Sequence, residues 1–305
     1  MPILPFGRKT TAPRGDVADL LAGFSIEVMP RTAEKVEDFR AILPPGTRVY
    51  VAHIDGTPID DMVRTARRLR EDGFPVMPHI PARSLSDRAE FADWLTRYHD
   101  EAGVNEALVL AGGAPVQRGA FGSSMELLET GLFDRHGFNR LHVAGHPEGN
   151  RDIDVDGGTR AVDEAARWKA AFAERTGARM ALVTQFVFDA DPLIGWADRL
   201  ADAGIRLPVY AGVAGPAKLQ TLLKFAIACG VGPSLGVLQK RAADVTKLLL
   251  PYEPTAVLER LADARGTMRG TVAGVHFFPL GGIGATADYA ARMTRREPGA
   301  AFARR

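Results

Sequence analysis

Short apolar runs alternate along this chain with longer stretches whose apolar residues return every three or four positions, and the two periods predict strands and helices in regular succession. The apolar runs lie at 23–28, 47–53, 75–80, 106–111, 139–144, 179–185, 207–212 and 272–278. They are largely apolar throughout rather than alternating with polar positions, which suits strands covered on both faces. Between them, Ile59 to Asp72 sets Met62, Ala66 and Leu69 on one helical face, and Asp87 to Ala102 predicts a second helix with Ser86 as its N-cap. Eight such units predict an α/β protein, a parallel sheet rolled into a single-domain (β/α)8 TIM barrel. The barrel is expected over 16–295, with residues 1–15 and 296–305 as loose ends.

Composition narrows the partner. Basic and acidic residues number 38 and 37, and this near-cancellation to +1 removes the electrostatic footprint of a nucleic-acid binder. A small-molecule substrate is expected instead, and a homo-oligomer is compatible with the chain. The single cysteine, Cys229, excludes an internal disulfide framework and is expected to pack as a small hydrophobe. No stretch reaches the roughly 20 apolar residues of a membrane span, and no secretory segment opens the chain, so a cytoplasmic protein is expected.

In a barrel of this kind, side chains at the C-terminal ends of the strands converge on one pocket. Glu27 closes the first run between Ile26 and Val28, where lost solvation predicts a raised pKa and a general acid; pairing with an Arg or Lys at the mouth is the alternative. Gln185 ends the sixth run beside Phe186 and Phe188, as an amide that reads a heterocycle edge or caps rim backbone. His53, His79, His146 and His276 each end a different strand. His142 and His146 lie roughly 13 Å apart if extended, too far for one ion, so no metal is expected.

His79 is a candidate for hydrogen bonding to a cofactor, or a satisfied rim histidine, and Glu148 is a supporting carboxylate or a solvated loop charge. Gly112 and Gly113 leave backbone bare at a strand end, which permits close approach of a planar ligand, although no dinucleotide or Walker fingerprint is present. Gly212 to Pro216 is expected to be another glycine-lined rim loop, and Asn150 to Gly158 a loop on the active face. Phe225 belongs by default to a helix–barrel interface.

Together these runs resemble the methylenetetrahydrofolate reductase family from about Gly23 to about Leu280. The resemblance is carried by Ser25-Ile-Glu-Val-Met-Pro30, Met77-Pro-His-Ile80, Gly145-His-Pro-Glu-Gly149, Thr184-Gln-Phe-Val-Phe-Asp189 and His276-Phe-Phe-Pro-Leu280. It implies hydride transfer from NAD(P)H via FAD to the methylene carbon of 5,10-methylenetetrahydrofolate, giving 5-methyltetrahydrofolate for methionine biosynthesis, or the reverse. It also implies Glu27 as the catalytic acid, and Gln185, Phe225 and Phe278 as folate contacts. The cofactor contacts it implies are His53, His79, Gly112, Gly113, His146, Glu148, Arg167 and Lys169. Several family positions differ: Ala52-His53 stands for Thr-Tyr, Gly112-Gly113 for Gly-Asp, Asn150 for a histidine, and Gly281-Gly282 for Asn-Arg. These departures leave two alternatives open, a flavin-independent NAD(P)H-dependent reductase and a folate-binding partner subunit without redox activity.

Overall fold

The computed structural model describes residues 16–114, 116–228, 236, 238 and 251–295, so Cys229, Pro115 and both expected loose ends lie outside the described residues. Eight strands follow one another around a closed barrel: β1 Ser25–Val28, β2 Arg48–Val51, β3 Val76–Pro81, β4 Glu106–Leu110, β5 Arg140–Gly145, β6 Arg179–Val187, β7 Val209–Ala214 and β8 Val272–Phe278. Every neighbouring pair is parallel, and β8 returns to β1 through Ser25 opposite His276 and Ile26 opposite Phe277. This is the single (β/α)8 barrel that the alternating periods predict. No helix among the described residues is long and apolar enough to cross a membrane.

Side chains of alternate strand positions part to two sides, and the two sides bury different things. Ile26, Val28, Val49, Val51, Ile80, Val109, Val143 and Phe277 enter the large core shared with the helices. The helix Ile59–Glu71 brings Met62, Val63, Ala66 and Leu69 to that core, and the helix Arg88–Ala102 brings Phe91, Leu95 and Tyr98. Truncating one such buried leucine to alanine costs about 2–5 kcal/mol. The other parity fills the bore, where Tyr50, Met77, Leu108 and Val183 pack with Leu110 and Tyr210. Below them Glu106 bridges Arg48 and Arg140, so β2, β4 and β5 are joined by ion pairs at the N-terminal end of the bore.

Local chemistry fixes the helix ends. Ser86 is not the N-cap of its helix: Asp87 takes that place, its Oδ1 accepting from the backbone N–H of Ala89 and Glu90 at 2.8 Å each. Ser86 instead donates its N–H and hydroxyl to the Glu90 carboxylate at 2.7 Å. The helix Arg160–Thr176 is capped from a distance by buried Asp154, which accepts from Ala161 and Val162.

Candidate active site

Glu27 ends β1 with its carboxylate among imidazoles rather than cations. Oε2 lies 3.3 Å from His79 Nε2 and 3.8 Å from His276 Nε2. Neither approach has the alignment of a full hydrogen bond, so the attraction is mainly one of charge and dipole. Burial opposes ionisation of Glu27, but His276 and His79 outweigh it, and the carboxyl lies below its ordinary range. The expected rise is therefore corrected. Ile26 and Val28 flank Glu27 in sequence, yet they face the helix-side core, and the groups beside the carboxylate come from β3 and β8.

The surroundings of this cluster come from residue parity. Ser25, two residues before Glu27, holds His276 Nδ1 at 2.9 Å. Tyr50 stands opposite Glu27 in the β1–β2 register, its ring 4.4 Å from that of His276. Its hydroxyl meets His142 Nδ1 at 2.6 Å, and the His142 ring stacks on Tyr210. Burial, aided by Arg48 and Arg140, pushes His142 down to about 3, so this buried imidazole is neutral. Ser25, Tyr50, His142, Tyr210 and His276 were not among the site residues expected from sequence. Their signal was the two-residue period counted from Glu27, which becomes usable once the barrel fixes which parity faces inward.

The aromatic wall lies beside the cluster. Phe278 sets its ring edge-on to His276 at 4.9 Å and to Phe186 at 5.3 Å. Phe225, on the helix Leu219–Ala228, packs with Phe278 against the buried cluster of Phe186, Phe188, Leu222 and Tyr252. Phe225 and Phe278, far apart in sequence, thus border one cluster that includes Phe186, the neighbour of Gln185 on β6.

Gln185 owes its placement to a bulge. The β6–β7 register shifts between Val183 and Phe186, and the Thr184 hydroxyl fills the gap: it accepts from Gly212 N–H and donates to the Gln185 carbonyl, both at 2.9 Å. Gly212 lies within β7, as the run 207–212 predicts, and the strand continues to Ala214 where a rim loop was expected; any Cβ at Gly212 would strike the backbone of Thr184 and Gln185. The Gln185 Oε1 accepts from the Phe186 N–H at 3.1 Å, the rim-capping role.

The residues expected at a cofactor are dispersed in their present contacts. The His53 ring lies 5.2 Å from Trp94, pushed down to about 4 chiefly by burial. Gly112 has φ +93° and its missing Cβ makes room for Pro81, whereas Gly113 faces open space. His146 is half-buried near Asn150, and Glu148 is half-buried in the same loop. Arg167 and Lys169 sit on opposite faces of their helix: Arg167 is exposed, while Lys169 is buried and donates to the Ala144 carbonyl at 2.9 Å. Burial pushes Lys169 down to about 8. Among the described residues no group of three or more His, Cys, Asp or Glu is arranged to hold a metal ion.

The fold and this cluster define a (β/α)8 barrel with a carboxylate–histidine centre at the C-terminal mouth, the end where barrels of this fold carry their chemistry. No protein-family model matches the chain. Among solved structures it is similar to an uncharacterized protein from Clostridium thermocellum that binds two copies of 5-methyl-5,6,7,8-tetrahydrofolic acid. That match has 11% identity and a TM-score of 0.55, over 89% of this chain and 94% of the other. Yersinia pestis DHPS with a pterine-sulfa conjugate matches at 12% identity and a TM-score of 0.44, over 92% and 94%. At these identities the likeness is one of fold.

Proposed function

We propose that this protein binds a reduced folate at the barrel mouth and interconverts 5,10-methylenetetrahydrofolate and 5-methyltetrahydrofolate, with NAD(P)H as the hydride source. The observation that carries the reading is the Glu27 carboxylate between His79 and His276, bordered by the Phe278 wall. The motif resemblance and the methyltetrahydrofolate-binding barrel of the same fold support it. The chemistry needs such a centre. Opening the five-membered ring of the methylene compound requires a proton at the leaving nitrogen, and the iminium so formed takes up the hydride. Glu27 belongs to that acid step, while Gln185, Phe225 and Phe278 supply an amide and aromatic faces for the pterin.

FAD enters this reading from the resemblance alone, and the residues assigned to it do not fit one cradle. Arg167 faces solvent, Lys169 is spent on Ala144, and the bare face of Gly112 is filled by Pro81. No step through a flavin is derived. The same observations favour a second route, in which NAD(P)H reduces the folate directly.

The test is turnover of NAD(P)H with 5,10-methylenetetrahydrofolate, with and without added FAD, beside the absorption spectrum of the purified protein. Methyl-folate formation is expected, and Glu27→Gln should lower it by about 10²–10⁴-fold with folding intact. A flavin band together with FAD-dependent turnover supports the flavin route; colourless, FAD-independent turnover supports the direct one. Methyl-folate binding without turnover would leave a folate-binding partner subunit, and absence of binding would remove the folate reading.

A further inference from the structure

We propose that Tyr50 is a positioning residue of this centre: its ring is the floor on which the His79 and His276 imidazoles are set beside Glu27. The acid role read for Glu27 above is the ground it rests on, and Tyr50 fixes the surroundings of that acid. Neither imidazole makes a full hydrogen bond to the carboxylate, and His79 Nε2 and His276 Nε2 have no hydrogen-bond partner among the described residues. Their separations from Oε2, 3.3 and 3.8 Å, are therefore set by what packs against the rings. Ser25 and Phe278 contact His276 alone of the two. Tyr50 meets both. Its ring centroid lies 4.4 Å from that of His276, tilted by 58°, and 6.5 Å from that of His79, edge-on at 82°. The edge-on contact is a geometry that ring quadrupoles favour.

The floor is itself held in place. Tyr50 is fully buried and stands opposite Glu27 in the β1–β2 register, with Met77, Leu108 and Val183 filling the bore around it. Its hydroxyl lies 2.6 Å from His142 Nδ1, and the His142 ring stacks on Tyr210. The titratable and charged groups around it are Glu27 from β1, His79 from β3, Glu106 from β4, His142 from β5, Tyr210 from β7 and His276 from β8, with Arg48 on its own strand. Burial lifts the Tyr50 phenol above its ordinary range and, aided by Arg48 and Arg140, pushes His142 down to about 3, so both are neutral at working pH. Tyr50 thus acts on Glu27 through the place of the imidazoles and not through a charge of its own.

Burial works to raise the Glu27 carboxyl, and His276 and His79 bring it down to about 2. With no ring beneath them the imidazoles drift, and that lowering shrinks. The carboxyl then rises whether the opened floor stays dry or fills with water, because a solvated carboxyl returns toward 4.5 and a dry one goes above it.

The test is Tyr50→Leu beside the conservative Tyr50→Phe, which keeps the ring and drops only the hydroxyl. The Glu27 carboxyl is followed from pH 7 to 4 by carbon-13 NMR of glutamate-labelled protein, assigned with Glu27→Gln. The wild-type signal should stay flat, since a group near 2 is ionised throughout. In Tyr50→Leu it should titrate with a midpoint at or above about 4. The kcat for 5,10-methylenetetrahydrofolate should fall by about 10–100-fold in that variant, with 5-methyltetrahydrofolate binding within a few-fold. Tyr50→Phe should return the flat signal and most of the turnover. A flat signal in Tyr50→Leu would overturn the inference, and so would a titration in Tyr50→Phe, which decides alone where Tyr50→Leu does not fold. Val183→Ala thins the bore from β6, across the barrel from β2, and should lower stability with the Glu27 signal still flat; a titration there would mark general loosening of the bore and sink the role of Tyr50. A wild-type protein that neither binds nor turns over folate would remove the functional reading, while the carboxyl titration would still decide what Tyr50 does.

Discussion

Replacing Gly212 by alanine tests whether the bulge in β6 is what seats Gln185. A Cβ at this position would lie 2.3 Å from the Thr184 carbonyl oxygen, 2.6 Å from that of Gln185 and 2.7 Å from the Gln185 carbonyl carbon. A relaxed carbon–oxygen contact is about 3.3 Å, so roughly 1 Å of separation must be found. All three atoms are backbone, and no rotamer change relieves them. Overpacking of this kind costs about 1–3 kcal/mol. The shift also strains the Gly212 N–H to Thr184 bond and the Thr184 to Gln185 bond, each worth about 1 kcal/mol. The total is about 3–5 kcal/mol, or a fall in Tm of roughly 5–8 °C for a domain of this size. Differential scanning calorimetry measures it, and titration with 5-methyltetrahydrofolate should show weaker binding as Gln185 moves. Thr184→Val, which keeps the shape but removes the hydroxyl, should cost about 1–3 kcal/mol by leaving the Gly212 N–H unpaired. A Gly212→Ala protein melting within about 1 °C of the parent would refute the argument that the bulge excludes a side chain.

Tyr50→Phe should destabilise the barrel by about 1–3 kcal/mol, because the buried His142 Nδ1 loses its partner; in a His142→Leu background the same change should cost much less, as a double-mutant cycle by urea unfolding would show. His142 also governs acid sensitivity. Its folded value near 3 lies below the ordinary 6.5, so between these the unfolded chain binds the extra proton and stability is lost as pH falls. His142→Leu should reduce that slope by up to about 1.4 kcal/mol per pH unit between pH 4 and 6, and an unchanged slope in urea midpoints would count against a neutral buried ring. Lys169 gives a limb at the other end. With a folded value near 8 against 10.5, the unfolded chain holds more protons in that window and stability rises with pH. Lys169→Met should lack this rise in chemical denaturation, whereas a persisting rise would show that Lys169 is not its source.

The barrel was legible because its strands are short and apolar on both faces, and each of the eight expected runs overlaps an observed strand. Boundaries moved by a residue or two at most ends, as at 47–53 against Arg48–Val51, where the chain turns out toward its loop. The N-cap at Asp87 was legible one residue early, since Ser86 has the right chemistry but serves Glu90 instead. Within the site, Glu27 was visible as a carboxylate ending an apolar run, but its neighbours were not. The pairings with His79 and His276 span 52 and 249 residues and follow only from closure of the sheet. The bulge at Thr184 and Gln185 left a trace in Gly212, which the sequence places where the seventh apolar run meets a glycine-lined loop. The opposite facing of Arg167 and Lys169 was legible in principle. Val162, Ala166, Lys169 and Phe172 share one helical stripe, and Arg167 lies off it.

The bond between Ser25 and His276 sits on the seam where the last strand meets the first, and it joins residues 251 positions apart. Only two register pairs stitch that seam, so the hydrogen bond between Ser25 and His276 also acts as a clasp on the whole cylinder. A nascent chain has no finished carboxylate–histidine cluster until its final strand docks, because His276 has yet to be synthesised. Assembly of the carboxylate–histidine cluster and topological completion therefore arrive in one event. A fragment ending before β8 would keep Glu27 but lose the arrangement that gives it a purpose.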